Sequence, residues 1–390
     1  MTNKSLSASD RLAPVAAFTR ILPVYVRKWW PALLLAVVLV AAATTPAAAT
    51  PEVPDVPDDI VGTAVAGSDV SYPLPGSPRF VALESDSRVW FTQTNPDSIG
   101  LLTVTDTGIP GVKEYRIRYF LLESGSDPYD IAYMNGIIWY TLRGTNKIGR
   151  LIIASETIET YAVPTADSRP MGIAVAADGT VWFTEEASNK IGRLRLTPTP
   201  EFTEFAYPSA DPAGFNDLAL DSSGRVWATA PKLDRVVFLT PGTGEFLNVS
   251  TKPYSRPISV VVDSDNVPWV AVEQDHLIGR YSPGTLALWR WFTIPGVQSL
   301  TSLAFRLENT DFELWFTDSV GHRAGRLVVS IFGVVVRLES QQLAGNAPQP
   351  MGIARGNDNV VWVAAFGDRY VYEWRDPYIL YQYLPVVARP

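Results

Sequence analysis

The chain has 390 residues, of which 47% are hydrophobic and 18% are charged, so it can bury a large core and is not expected to be disordered. It contains no cysteine, which excludes disulfides, thiol catalysis and cysteine-based zinc sites. Its net charge of −8 would repel a phosphate backbone, and we therefore expect no nucleic-acid partner.

The first predicted element is an export signal in residues 1–49. Arg27 and Lys28 precede an apolar run over residues 32–43, and small residues follow up to a cleavage-like end at 47–49. Because the region before the run is unusually long, an uncleaved anchor that tethers the chain to a membrane through residues 29–49 stays open. Both interpretations place the rest of the chain outside the cytoplasm, secreted or anchored at the cell surface. Residues 50–69 are rich in proline and aspartate and are predicted to be an extended linker.

From residue 70 to residue 390, one β-rich pattern recurs around a tryptophan. In its clearest copy, two short apolar runs flank the turn Asp178-Gly179, and residues 190–196 then alternate apolar and polar side chains as a half-buried strand does. The tryptophans recur 42 to 49 residues apart, and that period is typical of propeller blades. They are Trp90, Trp139, Trp182, Trp227, Trp269, Trp315 and Trp362. The sequence therefore predicts an all-β, seven-bladed β-propeller with four-stranded antiparallel blades.

The blades need neighbours, because a four-stranded sheet cannot bury both faces alone, and the recurring tryptophans are expected to fill the space between blades. The sequence contains eight candidate outer strands for seven blades. Either residues 70–75, before the first tryptophan, or residues 379–384, at the end, must complete the seventh blade and close the ring. We expect the closed propeller to be a monomer.

The clearest blade, residues 169–194, reads R-P-M-G-I-A, then V-W-F-T-E, then N-K-I-G-R-L, and it resembles the repeat of the streptogramin B (virginiamycin B) lyase family. The resemblance covers about residues 70–385. It implies a Mg²⁺-dependent carbon–oxygen lyase that opens a cyclic depsipeptide by elimination, with two essential histidines and an acid. The matching positions hold Thr301, Met351 and Phe366, and Arg79 replaces an aromatic hydroxyl. The resemblance thus implies the fold without the family's catalytic groups, so no catalytic residue is assigned and enzymatic activity stays open.

Two histidines are present in the chain, His276 and His322, and each lies seven residues after the tryptophan of its blade. The clearest copies of the repeat have asparagine there. Asn, Asp and His are the residues that best tolerate a left-handed turn. We interpret both histidines as turn residues, and the alternative is a small histidine site on one face.

The loop before the first strand of a blade and the loop after its second strand lie on the same face of a propeller, around the central channel. Acids concentrate there in blades three, five and six, and arginines in blades one and two, so the face could hold a zwitterionic or amide-rich small molecule or a protein. The predicted ligand-binding residues are Arg79, Tyr129, Arg143, Glu185, Glu186, Asn216, Glu273 and Asp318. No cofactor is expected, although a divalent cation (Mg or Ca) could bind Glu185, Glu273 or Asp318. The alternative is that these carboxylates are solvated loop ends.

Three functions stay open at this point. The first is a non-catalytic propeller that binds a ligand or partner on its channel face. The second is a metal-dependent propeller enzyme, either a streptogramin B lyase or a lactonase-like hydrolase, and the third is a structural module at the cell envelope. We prefer the first because the blades are intact while the lyase residues are missing.

Overall fold

The computed structural model describes residues 59–65, 69–110, 112–283, 288–308, 311–356 and 360–375. Its strands form seven antiparallel sheets, each of them one blade of a ring, so the predicted all-β, seven-bladed propeller is confirmed. Within these ranges, no helix is long and apolar enough to cross a membrane. The predicted export signal and residues 379–384 lie outside the described residues.

The blades follow one another along the chain, and in each the first strand lies nearest the channel. Two strands precede them, β1 (Asp59–Val65) and β2 (Asp69–Pro73). Blade one has β3 (Ser77–Ser85), β4 (Arg88–Thr94), β5 (Ser98–Asp106) and β6 (Val112–Leu121), and blade two has β7 (Pro128–Met134), β8 (Ile137–Leu142), β9 (Lys147–Ile152) and β10 (Thr157–Ala162). Blade three has β11 (Pro170–Val175), β12 (Val181–Glu185), β13 (Lys190–Arg195) and β14 (Glu201–Ala206), and blade four has β15 (Leu218–Leu220), β16 (Val226–Ala230), β17 (Arg235–Thr240) and β18 (Glu245–Ser250). Blade five has β19 (Pro257–Val262), β20 (Pro268–Val272), β21 (Leu277–Ser282) and β22 (Leu288–Thr293), and blade six has β23 (Leu300–Glu308), β24 (Asp311–Asp318), β25 (Arg323–Ser330) and β26 (Val335–Gln342). Blade seven has β27 (Pro350–Arg355), β28 (Val360–Ala365) and β29 (Tyr370–Arg375).

The N-terminal strand β2 closes the ring. It pairs antiparallel with β29 as the outer strand of blade seven, from Asp69 opposite Trp374 to Pro73 opposite Tyr370. Tyr72 anchors it, since its fully buried ring lies 5.7 Å from the ring of Trp362. Of the two strands proposed from the sequence to close the ring, the structure therefore uses the one before the first tryptophan.

Strand β1 adds a fifth strand to blade one, outside the four that the repeat predicts. It pairs with β6 along its whole length, from Asp59 opposite Arg118 to Val65 opposite Val112. This strand lies within residues 50–69, which were predicted to be a linker. Blade one therefore has a covered outer edge.

Each recurring tryptophan packs against the following blade, as predicted. Trp182 of blade three lies in one cluster with Phe215 and Val226 of blade four, and Trp362 of blade seven lies with Val89 of blade one. All seven are at most 5% exposed. Large apolar side chains thus fill every space between blades, which is how sheets that cannot bury both faces alone become stable.

The K-I-G-R part of the repeat fits the same packing. A side chain at Gly192 would place its Cβ 2.0 Å from the ring of Phe183, which lies directly opposite on β12, so only glycine leaves room for that ring. The next residue, Arg193, places its guanidinium 5.6 Å from the ring centre of Trp182. The motif therefore serves the packing of the blade.

Candidate functional site

In six of the seven blades, the first strand contains a β-bulge near its start, and these bulges shape the channel wall. In β11, for example, the pairing shifts between Pro170 and Ile173. The same shift occurs in blades one, two, five, six and seven. A bulge re-aims side chains, and here it brings successive residues such as Tyr129 and Asp130 to the channel.

A cavity of about 250 Å³ lies at this end of the channel, and all seven blades contribute to its wall. Its apolar lining includes Phe80, Tyr129, Met171, Ile258 and Met351. Its polar lining includes Asp130, Glu186, Asn216, Asp217, Lys232, Arg256, Glu273 and Thr301. The predicted residues Tyr129, Glu186, Asn216 and Glu273 therefore meet in one cavity, which combines apolar surface with a few polar groups as small-molecule sites do.

Hydroxyl groups of the second strands hold the cavity wall in place. The Thr92 hydroxyl donates to the carbonyl of Tyr129 at 2.7 Å, and Thr141 donates to Met171 at 2.7 Å. The Asn216 amide donates in the same way to the carbonyl of Ile258, also at 2.7 Å. Each bond joins one blade to the next, so the wall is fixed before any ligand arrives.

Asp130 and Asp217 are two carboxylates of the wall that the sequence analysis did not identify. Asp130 accepts hydrogen bonds from the backbone N–H groups of Ile131 and Ile173, both at 2.8 Å. Burial raises the pKa of Asp130 to about 8, with the Asp217 carboxylate as a second cause, and burial raises the pKa of Asp217 to about 6. The wall therefore contains two acids, and near neutral pH it carries less negative charge than two fully ionised carboxylates would.

Arg79 and Arg143 lie together beside the cavity, on both sides of one acid. Asp127 pairs with Arg79 at 2.9 Å and with Arg143 at 2.6 Å. Both guanidinium groups also contact Tyr129, at 5.4 and 5.1 Å from its ring centre. Burial lowers the pKa of Arg79, and the Asp127 carboxylate opposes that effect. The positive charge predicted for blades one and two is thus partly neutralised by Asp127, and both guanidinium groups pack against the ring of Tyr129.

Glu185 and Asp318, two further predicted residues, are fully buried and do not line the cavity. Asp318 accepts hydrogen bonds from three backbone N–H groups, those of Gln298, Ser299 and Gly321. Glu185 accepts a hydrogen bond from the Ser188 hydroxyl at 2.6 Å, and burial raises the pKa of Glu185 to about 7. Both carboxylates hold the loop after the second strand.

The comparison with known proteins connects this propeller to a family. The family model described as the virginiamycin B lyase family matches residues 56–281. The chain belongs to the virginiamycin B lyase family. No curated protein matches it.

Solved structures of similar fold include lyases and other propellers. A streptogramin B lyase structure is 23% identical, covers 81% of this chain and 97% of its own, and has a TM-score of 0.65. A catalytically inactive histidine-to-alanine variant of virginiamycin B lyase from Staphylococcus aureus, solved with quinupristin, is 22% identical with a TM-score of 0.63, and the alignment covers 81% of this chain and 98% of that one. YCF48 bound to D1 peptide is 13% identical with a TM-score of 0.58, and the alignment covers 80% of this chain and 98% of that one. At these identities the likeness shows the fold.

The positions that carry the lyase chemistry by family resemblance lie around this cavity. Thr301 and Met351 line it, and Phe366 lies beside it with Arg79 5.5 Å from its ring centre. The Thr301 hydroxyl shares a hydrogen bond with the Thr317 hydroxyl at 2.9 Å and donates to the carbonyl of Pro350. These side chains are one hydroxyl held within the wall, one thioether and one phenyl ring, and none can act as a general base at neutral pH.

The Mg²⁺ that the family implies does not fit the donors of this site. Glu273 lies 3.0 Å from Arg256 and Glu186 lies 3.3 Å from Arg169, so these two half-buried acids of the cavity are already paired. The part of the chain that the structure describes contains no group of three or more His, Asp or Glu side chains placed to hold a metal. We therefore derive no step through a metal ion.

The two histidines are turn residues, as the sequence analysis interpreted them. His276 and His322 have φ values of 55° and 57°, in the left-handed region, like Asn189 of the clearest blade at 56°. The Nδ1 atom of His322 accepts a hydrogen bond from the backbone of Gln349 at 3.4 Å. Neither histidine lines the cavity.

Proposed function

We propose that this member of the virginiamycin B lyase family binds a ligand at its channel cavity and lacks the family's ring-opening chemistry. The observation that carries the proposal is the composition of the wall, where Thr301 and Met351 stand at the positions of the implied histidines. In the S. aureus enzyme, a single histidine-to-alanine change accompanies catalytic inactivity. A site without either histidine lacks the side chains to which the family resemblance assigns proton transfer, while its packed wall and its cavity remain.

The lining favours a ligand with amide or zwitterionic groups on an apolar body. Met171, Ile258 and Met351 offer apolar surface, and Glu186 and Glu273 offer carboxylate oxygens. Lys232 and Arg256 add donors at the rim. A peptide or depsipeptide combines these features, and YCF48, a propeller of similar fold, is solved with a peptide.

We also propose that the propeller works outside the cytoplasm, because residues 1–49 have the parts of an export signal. Fractionation followed by N-terminal sequencing tests both the compartment and cleavage after residue 49. Recovery of the protein from the cytoplasm alone would contradict export.

A ring-opening assay tests the loss of chemistry. The purified protein is incubated with a streptogramin B antibiotic and Mg²⁺, with an active lyase as the positive control. Because elimination gives a linear isomer of unchanged mass, the product must be followed by chromatographic retention and fragmentation. We expect no opening above the buffer control.

Binding is measured in parallel, with the same antibiotic and with short amphipathic peptides, by titration calorimetry. The control variant is Met171→Asp, which places a charge on the apolar part of the wall and should abolish any binding there. Opening of the antibiotic ring would contradict the proposal, and so would binding that the Met171→Asp variant retains.

A further inference from the structure

Around the cavity, three blades repeat the same kind of ion pair. It joins the residue before the first strand of a blade to the residue four places after the tryptophan of that blade. The pairs are Asp127–Arg143 in blade two at 2.6 Å, Arg169–Glu186 in blade three at 3.3 Å and Arg256–Glu273 in blade five at 3.0 Å. The charges are exchanged in blade two, but in every case a cation and an anion balance each other. A pair of this kind therefore adds no net charge to the channel face.

Blade four lacks this ion pair. Its corresponding residues are Gly214 and Pro231, and neither carries a charge. Gly214 keeps the left-handed backbone of its counterparts, with a φ of 61° against 56° for Arg169 and 51° for Arg256, so the loops correspond. The ring of ion pairs is thus interrupted between blade three and blade five.

Lys232, the residue after Pro231, occupies the space over Gly214. A Cβ at position 214 would lie 2.8 Å from the Cδ atom of Lys232 and 2.9 Å from its Cε atom, so the lysine stem packs directly on the glycine. Lys232 is exposed and lines the cavity, and within the described residues it makes no ion pair. The absence of a side chain at Gly214 therefore gives the stem its place and leaves the ammonium group available to a ligand.

The other charged groups of the lining already have partners. The Asp217 carboxylate accepts hydrogen bonds from the Ser259 hydroxyl at 2.8 Å and from the N–H of Val260 at 2.9 Å. Asp130 accepts two backbone N–H groups of the wall, and the remaining charges belong to the ion pairs of blades three and five. Among the charged side chains that the structure describes in this lining, Lys232 is the one without a partner.

A carboxylate is the anion that suits this cation. One ammonium group is a single point charge and balances one carboxylate, whereas a phosphate dianion requires several donors that share its charge. Met171 of blade three and Ile258 of blade five line the same cavity, so apolar surface is present on both sides of blade four. One negative charge beside an apolar side chain describes the carboxyl terminus of a peptide that ends in an apolar residue.

Starting from the proposed function, we propose that the cavity binds the carboxyl terminus of a linear peptide, with the carboxylate on Lys232 and the last apolar side chain between Met171 and Ile258. A cyclic depsipeptide that is closed through its terminal carboxyl has no such group, whereas elimination at the ester releases it as a carboxylate. The ligand class is therefore linear peptide acids, and a ring-opened antibiotic belongs to that class.

A matched pair of peptides tests this assignment by titration calorimetry on the full chain. The probe is a short peptide that ends in leucine, prepared as the free acid and as the C-terminal amide. We expect the acid to bind about tenfold more tightly, because the amide cannot form the charge-assisted hydrogen bond. Lys232→Met keeps an unbranched stem over Gly214 and should bind both forms equally, at the affinity of the amide. Lys252→Met is the control, since it removes the same charge from a residue outside the lining, and it should keep the preference for the acid.

The outcomes separate this inference from the proposed function. Equal binding of acid and amide by the wild type, or a preference for the acid that Lys232→Met retains, would overturn the role of Lys232 and leave ligand binding in the cavity intact. Failure of every peptide and of the antibiotic to bind would contradict both proposals. Thermal unfolding midpoints equal to that of the wild type show that the variants are folded, and the comparison of acid with amide needs no variant.

Discussion

At the scale of single residues, the channel wall uses side-chain acceptors to join one blade to the next. Asp130 of blade two accepts the N–H of Ile173 in blade three, and Asp217 of blade four accepts the N–H of Val260 in blade five. Ser259 of blade five accepts from Leu303 in the same way, at 3.1 Å. A neutral hydroxyl therefore makes this connection as well, and the negative charge of the two aspartates is not needed for it.

The raised pKa of Asp130 makes stability depend on pH. Burial raises that pKa to about 8, above the value of about 3.9 of an unfolded chain, so the folded protein binds more protons between these values. The contribution of protonated Asp130 to stability is fully present below about pH 4 and is lost as the pH rises through 8. We expect the free energy of unfolding in urea to fall more steeply from pH 5 to pH 8 in the wild type than in Asp130→Asn. Parallel curves would show that Asp130 is ionised across this range.

At the scale of one blade, the second and third strands share a fixed side-chain volume between the two residues of one cross-strand pair. In blade three Phe183 lies opposite Gly192, and in blade four Ala228 lies opposite Val237. A large side chain on one strand therefore accompanies a small one on the other, in either order. This exchange explains how blade four departs from the repeat and keeps its packing, since cores tolerate substitutions that conserve volume.

Transplanting the blade-four pair into blade three tests this exchange. Gly192→Val alone should destabilise by about 1–3 kcal/mol through overpacking, and Phe183→Ala alone by about 3–5 kcal/mol through a cavity. The double variant should lose less than the sum, with a coupling energy of at least about 1 kcal/mol in urea unfolding.

Gly242→Ala is the control for this series, because no atom lies within 4 Å of the added Cβ, and it should change the free energy of unfolding by less than about 0.5 kcal/mol. Additive effects of Gly192→Val and Phe183→Ala would mean that the two positions do not share one space.

At the scale of the whole molecule, the period of the tryptophans was sufficient to predict seven blades, because each blade must bury a large side chain against the next. Strand β1 was not predicted, since residues 50–69 are rich in proline and aspartate and their partner β6 lies some 50 residues away. The choice of closing strand also depended on long-range pairing, because both candidate strands have the apolar character that an outer strand needs.

The channel site was predictable in part because the blades repeat along the chain. Counting from the start of each blade placed Tyr129 and Asn216 at the channel, where the structure has them. Asp130 was missed because the bulge brings two successive residues to the wall, and strict alternation predicts only one. The burial of Glu185 and Asp318 was missed because their hydrogen-bond partners lie in the turns and are not visible as a pattern.

The closing strand gives the last prediction, because it joins the two ends of the described chain. A chain that starts at residue 66 keeps β2, whereas one that starts at residue 75 loses it, together with the buried ring of Tyr72 and its hydrogen bond to Glu373 at 2.8 Å. We expect the shorter chain to unfold at a temperature lower by about 10 °C or more, and to self-associate through the exposed edge of β29. Thermal unfolding and size-exclusion chromatography measure both effects. Equal midpoints would mean that another segment, such as residues 379–384, can complete blade seven.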